Sequence, residues 1–557
     1  MKKLLLFLFS GFICATAVSQ ITYYSKSTGF LNILGTWGTN ADGSGTSPTN
    51  FTTANCTYII VNNASASLRT NWTVSGANST VLVGDGTQNI TFTVTGPRVA
   101  VATFSVMVNS TFVADQNCTI SGSTAHVNGT FNNNTDNNPI LGTLATGSTF
   151  MYSRTQGNGN QSIVNATYYN LTISGTGAKR LLNNANTTVN GTLALNSGPT
   201  FILNTNTSFY CILNGTVTGA GTITSSANSN LTIGGSGALG TLAFTTGAQA
   251  LYRFAINRSG TVTLGSALTV SNAFTQTNGI LDINSRSFTL NGNITFPAAS
   301  TNGSISGSAT ATISIGGTGT ITNSLFVTQS GTANYLKNLT LNRTGQTVAL
   351  GNTLNMVGTL TPTAGTFAGG GNLVLLATAS TNVGRIGVVG GSITGSTTAQ
   401  MWAKSGLTGW TLLGAPGLNG RTFADWDDNT TITCATCPDG FMYSFTSVYW
   451  YSETAGGLFD NPSRYIAITS TGQSMSTGQA FWMYLGTSTT NTADILLDAK
   501  GTLHTGNVTF NLTRTSSGGG TDPVDHGYNL ISNPFPSLIQ WSLLRNGNTN
   551  VANAIYV

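Results

Sequence analysis

The chain runs to 557 residues, of which 39% are hydrophobic and only 6% charged, with 68 glycines and a formal net charge of +5. That length exceeds what one core usually holds and asks for a repeat array or several domains, while the apolar content excludes a disordered polymer. Scarce Asp, Glu, His, Lys and Arg leave little material for acid–base, metal or phosphate chemistry, and basic residues scattered singly argue against a nucleic-acid surface.

Residues 1–19 read as a secretory leader, with Lys2 and Lys3 as the charged start, Leu4 to Ile13 as the apolar run and Ala17-Val18-Ser19 as the cleavage site. The run is too short to span a bilayer, and Ile13 before Cys14 does not suit lipidation. No later stretch is apolar enough to span, so the mature chain is expected to carry no transmembrane segment. Its expected location is secreted or on the outer cell surface. Residues 20–52 form an opening segment in which Trp37, Tyr23 and Tyr24 suit a cap over the first strands.

From residue 53 to 150, short β-rich runs such as Tyr58-Ile-Ile-Val61, Val81-Leu-Val83 and Ile90-Thr-Phe-Thr-Val94 alternate with Gly, Asn and Pro turn signals. A long repeat follows over 165–395. Leu171-Thr-Ile-Ser-Gly-Thr-Gly177 returns as Phe254-Ala-Ile-Asn-Arg-Ser-Gly260 and as Leu339-Thr-Leu-Asn-Arg-Thr-Gly345, steps of 83 and 85 residues. A sister motif, Leu231-Thr-Ile-Gly-Gly-Ser-Gly237, recurs as Ile313-Ser-Ile-Gly-Gly-Thr-Gly319. One repeat holds three to four rungs of ~20–25 residues, and Gly and Asn suit the corners of a parallel β-helix. The fold expected over 53–395 is therefore a parallel β-helix or β-solenoid. A string of β-sandwich domains is the competing architecture.

At Ser396 the composition changes. Six of the eight tryptophans and ten of the fifteen carboxylates lie beyond it. Alternation in Val448-Tyr-Trp-Tyr451 and Ala480-Phe-Trp-Met-Tyr-Leu485 predicts an antiparallel, β-sandwich-like domain over 396–557. Within it, Gly409-Trp-Thr-Leu-Leu-Gly-Ala-Pro416, Gly478-Gln-Ala-Phe-Trp-Met483 and Gly527-Tyr-Asn-Leu-Ile-Ser-Asn-Pro-Phe-Pro-Ser537 resemble segments of large bacterial surface repeat proteins exported by the type IX secretion system. The resemblance implies a β-helical stalk, an aromatic module and a C-terminal sorting domain. Here the chain stops at Ile555-Tyr-Val557 with no sorting domain, which reads as a fragment.

Five cysteines remain after the leader. Cys434 and Cys437 have C-x-x-C spacing, but Pro438-Asp-Gly breaks the helix a redox motif needs, and no second pair completes a zinc site. A structural disulfide between them is the expected state in an exported protein. Cys56, Cys118 and Cys211 read as buried thiols. Asp425, Asp427 and Asp428 form the one local carboxylate cluster; Ca²⁺ is the cation it would hold, and a solvated turn is the plainer reading. Apart from that ion, no cofactor is expected. Trp402, Trp410, Trp426 and Trp450 are the candidate sugar-stacking platforms.

The solenoid carboxylates Asp42, Asp85, Asp115, Asp136 and Asp282 are far apart in sequence, and no catalytic pair or motif stands out. The function expected is a non-catalytic, exported structural or adhesin-like surface protein. Its expected partners are an extracellular glycan or a host or neighbouring-cell surface. A β-helical polysaccharide lyase or glycoside hydrolase is the alternative, marked by Asp, Arg or Lys converging on one solenoid face.

Overall fold

The computed structural model describes residues 19–557 except 97–98, 116–117, 121, 380–381, 404–408, 456–459, 487–494, 516–526, 549 and 553–557, so the expected leader lies, but for its last residue, outside the described residues. Alternation builds the strands. In Thr91–Thr95, Thr111–Asp115, Thr130–Asn134 and Thr149–Tyr152 the second residue is a buried Phe and the residues on either side of it face out. These strands pair in parallel, so that Phe92, Phe112, Phe131, Phe150, Leu171, Leu193 and Val217 fall in one inward row. Ring centroids along it are 5.3, 5.1 and 4.7 Å apart from Phe92 to Phe150. Each such ring contributes roughly 1.5–3 kcal/mol by leaving water.

The protein is nearly all β and contains a parallel β-solenoid of about 16 turns; the chain divides into two compact units. The first unit comprises 1–202 and 213–222. Its turns place one strand on each of three faces, exemplified by Thr124–Val127, Thr149–Tyr152 and Gln161–Ile163. Ile21–Ser25 opens it, parallel to Cys56–Ile60 and antiparallel to Trp37–Gly38. Trp37 is fully buried, stacks on Trp72 at 5.7 Å and donates its indole N–H to Leu31 O at 2.7 Å. Tyr23, also buried, stacks on Tyr58, and Tyr24 is half-buried.

The second unit comprises 203–212 and 223–557. Its long strands Ala250–Leu264, Leu268–Asp282, Tyr335–Ala349 and Leu354–Ala368 have 15 residues each and round their corners through register shifts. Two of the three copies of the sequence repeat thus open on equivalent pairs of long strands, while the copy at Leu171 lies on the short strand Asn170–Ile173. Asn55, Asn78, Asn109, Asn284 and Asn323 take positive φ, which the short polar side chain tolerates at a tight bend.

One device of these corners is absent from the sequence reading. Arg258 is 1% exposed and donates to the carbonyls of Gly234, Ser236 and Gly237 at 2.6 Å each. Arg343 is 2% exposed and donates to Gly316 O, to Gly292 O at 2.8 Å and to Leu290 O at 3.1 Å. The arginine of the Asn-Arg-Ser/Thr-Gly motif therefore bonds the Gly-Gly-Ser/Thr-Gly loop of the turn before it, and Arg343 reaches on to the turn before that. In the first copy Gly175 stands where the arginine would be. There Lys179, fully buried, donates to Arg154 O, Gly159 O and Thr176 O.

Beyond the repeats, Ser396–Ala403 adds to Leu373–Leu375 in parallel and to Ile495–Leu503 antiparallel. An antiparallel sheet follows, ordered Gly409–Gly414, Ala480–Leu485, Val448–Tyr451 and Tyr465–Ala467. Its inner face holds Leu413, Val448, Phe481, Met483 and Leu485 over a core with Trp426 and Phe423. Among the described residues no helix is long and apolar enough to cross a membrane.

Candidate functional site

Strand alternation puts the other half of that sheet outside. With Leu413, Phe481, Met483 and Val448 turned inward, Trp410, Leu412, Trp482, Tyr484 and Tyr449 turn outward, and across the sheet Tyr451 pairs with Tyr465. Trp410 is 36% exposed and Leu412 is 50% exposed, while the remaining rings are half-buried against one another. Trp410 lies 4.7 Å from Trp482, 5.7 Å from Tyr449 and 5.6 Å from both Tyr484 and Phe445. Trp482 continues to Tyr465 at 5.0 Å, and Tyr465 to Tyr451 at 5.5 Å. The outcome is a connected aromatic surface four strands wide, on the order of 14 Å.

One end is walled. Tyr443 is buried, donates its hydroxyl to Gly486 O at 2.5 Å, and packs with Phe445 against Tyr484. Rings braced in this way offer flat apolar faces with hydroxyl and indole donors at their rims. Such a surface stacks on the C–H faces of a sugar and hydrogen-bonds its hydroxyls.

Of the tryptophans expected as platforms, only Trp410 sits in this surface. Trp426 is buried, edge-on to Phe481 and Phe423, and serves the core instead. Trp450 packs against that core, and Trp402 is half-buried on another sheet opposite Leu496. Trp482 is not among the expected platforms, although the alternation of Ala480-Phe-Trp-Met-Tyr-Leu485 sets it on the face opposite Phe481 and Met483.

The carboxylate cluster is engaged locally. Asp425 pairs with Arg421 at 2.9 Å and accepts from Thr422 N at 2.9 Å, while Asp427 accepts from Ile432 N at 3.3 Å. Burial raises the Asp427 carboxyl above its ordinary value, with Asp439 and Asp428 adding repulsion. Asp428 likewise acts on Asp498, where burial is again the main cause of the rise. Among the described residues, no three His, Cys, Asp or Glu groups are arranged to hold a metal ion. Cys434 and Cys437 are joined by a disulfide. Cys56, Cys118 and Cys211 are free and buried, and burial pushes the last two thiols up to about 12.

Charges do meet at one solenoid corner. Asp136 pairs with Arg154 at 3.5 Å, Asp115 accepts from the Asn134 amide at 2.6 Å, and Lys179 reaches Arg154 O at 2.9 Å. Each is tied to a partner. Burial, then the Arg154 charge, brings the Lys179 ammonium down to about 8. Asp42, Asp85 and Asp282 accept from the backbone two residues on, as turn residues do.

The Asn-Pro-Phe-Pro motif acts as a tie, since Pro536 O accepts from Ile386 N at 2.9 Å. A cavity of about 370 Å³ lies beside it, lined in part by Ile386, Ser392, His504 and Phe535. Searches against protein families, curated proteins and solved structures find no match for the chain.

Proposed function

We propose that this chain is an exported, non-catalytic surface protein in which the β-solenoid serves as a stalk or adhesive scaffold and the aromatic module binds extracellular glycan. The observation that carries the reading is the connected outward surface of Trp410, Trp482, Tyr449, Tyr484 and Tyr465. A monomeric core has no use for so many rings on its wet side, whereas large exposed apolar patches mark interaction sites. The resemblance to proteins exported by the type IX system, the leader and the charge-poor solenoid support the location. We also propose Ca²⁺ as the cation of Asp425, Asp427 and Asp428 in the same module, which requires Asp425 to leave its pairing with Arg421; calorimetric titration with Ca²⁺ tests it.

The test is binding and address together. Antibody labelling of intact producing cells is expected to detect the chain outside, and the purified chain is expected to bind polysaccharide without shortening it. Cleavage of a polysaccharide would favour the second reading, a lyase or glycosidase. One observation supports that alternative, namely Asp115, Asp136 and Arg154 near one corner; Asp136→Ala would then abolish the activity.

A further inference from the structure

Resting on the glycan-binding reading, we infer that the aromatic surface takes a single soluble chain of a neutral polysaccharide rather than an acidic glycan or the flat face of a crystalline one. The surface carries no charge to pair with an acidic glycan. The outward positions of the four strands hold Trp410, Leu412, Trp482, Tyr484, Tyr449, Tyr451, Tyr465 and Ala467, and none is charged. An acidic glycan calls for Arg or Lys placed to pair its carboxylates or sulfates. The nearby Arg464 is buried and committed to Glu453 O at 2.5 Å.

The shape of the surface does not fit a flat crystalline face. A crystalline face needs coplanar rings. Here the ring planes differ by 36° between Trp410 and Trp482, 49° between Trp410 and Tyr449 and 50° between Tyr465 and Trp482. Successive strands rotate with the sheet's twist and carry their rings round with them. A twisted file of platforms matches a lone polysaccharide chain, whose sugar rings rotate from one to the next.

The composition of the surface disfavours a protein partner or a second copy. Interface cores between proteins mix aromatics with Met and Arg. This surface is almost purely aromatic with polar tips. Its rings already brace one another, so little side-chain freedom is lost on binding.

The experiment is affinity electrophoresis of the whole chain in soluble mixed-linkage β-glucan, galactomannan, polygalacturonate and alginate, with a parallel pull-down on microcrystalline cellulose. Retardation by a neutral soluble polysaccharide is expected. Trp410→Ala and Trp482→Ala should each weaken it about tenfold, while Trp410→Phe and Trp402→Ala should retain it. Near-UV circular dichroism of each variant shows whether the buried Trp426 environment is intact. Binding only to acidic polymers, or only to cellulose, overturns this inference and leaves glycan binding standing. No binding to any of the five overturns both. Sedimentation showing a dimer that Trp410→Ala dissolves would assign the surface to a second copy instead.

Discussion

Arg343 donates from two of its nitrogens to the carbonyl oxygen of Gly316, which lies in the turn before it. Arg258 gives one nitrogen to each of Gly234 O, Ser236 O and Gly237 O in the loop Gly234-Gly-Ser-Gly237. Tight corners turn several carbonyls inward, where strand pairing leaves them short of donors. A guanidinium carries five donors in a fixed fork and can meet three such oxygens at once. Burial pulls both guanidinium pKa values down, yet an arginine stays charged at any relevant pH. Arg258→Met is therefore expected to cost about 3 kcal/mol, because it strands a ring of buried carbonyls. Since a solenoid turn leans mainly on its neighbours, the loss should be local. Hydrogen exchange should speed up over 230–262 and stay unchanged near the Phe131 row; uniform acceleration would contradict it.

The same corners make two glycines irreplaceable. Gly279 has φ +89°, and a Cβ there would lie 2.0 Å from Arg258 O; Gly365 has φ +88° and would meet Arg343 O at 2.3 Å. Gly279→Ala and Gly365→Ala combine a left-handed backbone with a clash against fixed backbone. Each is expected to destabilise by at least ~2 kcal/mol, read as a lower urea midpoint. Gly86→Ala shares a positive φ but has open space around it, so its loss should be smaller.

Phe131 stands between Phe112 and Phe150 in the inward row of the first unit, with centroids at 5.1 and 4.7 Å. Phe131→Ala removes a fully buried ring and leaves a cavity that its neighbours, Phe150 stacked and Phe112 tilted against it, cannot close. A loss of about 3–5 kcal/mol is expected, with Phe131→Leu well below that because most of the volume remains. Equal losses for the two would mean ring stacking, not volume, dominates the row.

How far the sequence reaches depends on range. The long repeat, the parallel β-helix and the Gly and Asn corners are readable because a solenoid rewrites one local pattern every turn. Arg258 and Arg343 read as scattered cations because their partners sit about 20–50 residues earlier, and only the pairing of motifs across turns brings them together. In the module, alternation correctly separates Phe481 and Met483 from Trp482 and Tyr484. Trp426 escapes that rule because it lies in the short helix Ala424–Asp427, which turns its ring into the core.

Lys179 gives the first unit a pH dependence on the alkaline side. Its folded value of about 8 is below the ordinary 10.5, so between these values the unfolded chain binds more protons than the folded one. Stability should therefore rise as the pH climbs from about 8 towards 10.5. Lys179→Met should flatten that rise in urea midpoints collected across the window. It should also lower the midpoint at neutral pH, because Arg154 O, Gly159 O and Thr176 O each lose a donor. A variant that keeps the wild-type slope would place its origin elsewhere.

Glu453 sets the acid limit of the module. The carboxylate is buried, which pulls its pKa up, but Oε1 accepts from Thr515 N at 2.8 Å, Thr515 Oγ1 at 3.1 Å and Gly527 N at 3.2 Å. The hydrogen bonds outweigh burial and hold the group below its ordinary 4.5. Arg464 lies at 3.9 Å and in turn reaches Tyr451 at 3.4 Å, so the charges facing Glu453 include a fixed cation. A depressed folded pKa means stability that is present above about 4.5 and lost as the pH falls through the folded value. Residues 513–515 and 527–529 should thus be released from the module in acid, before the solenoid strands open. Hydrogen exchange at stepped pH reads this directly. Glu453→Gln should show the released pattern already at neutral pH, because an amide cannot match the carboxylate's pull on three donors. If the variant kept those segments protected and the acid transition unmoved, the clasp would have to lie in other contacts of the segment.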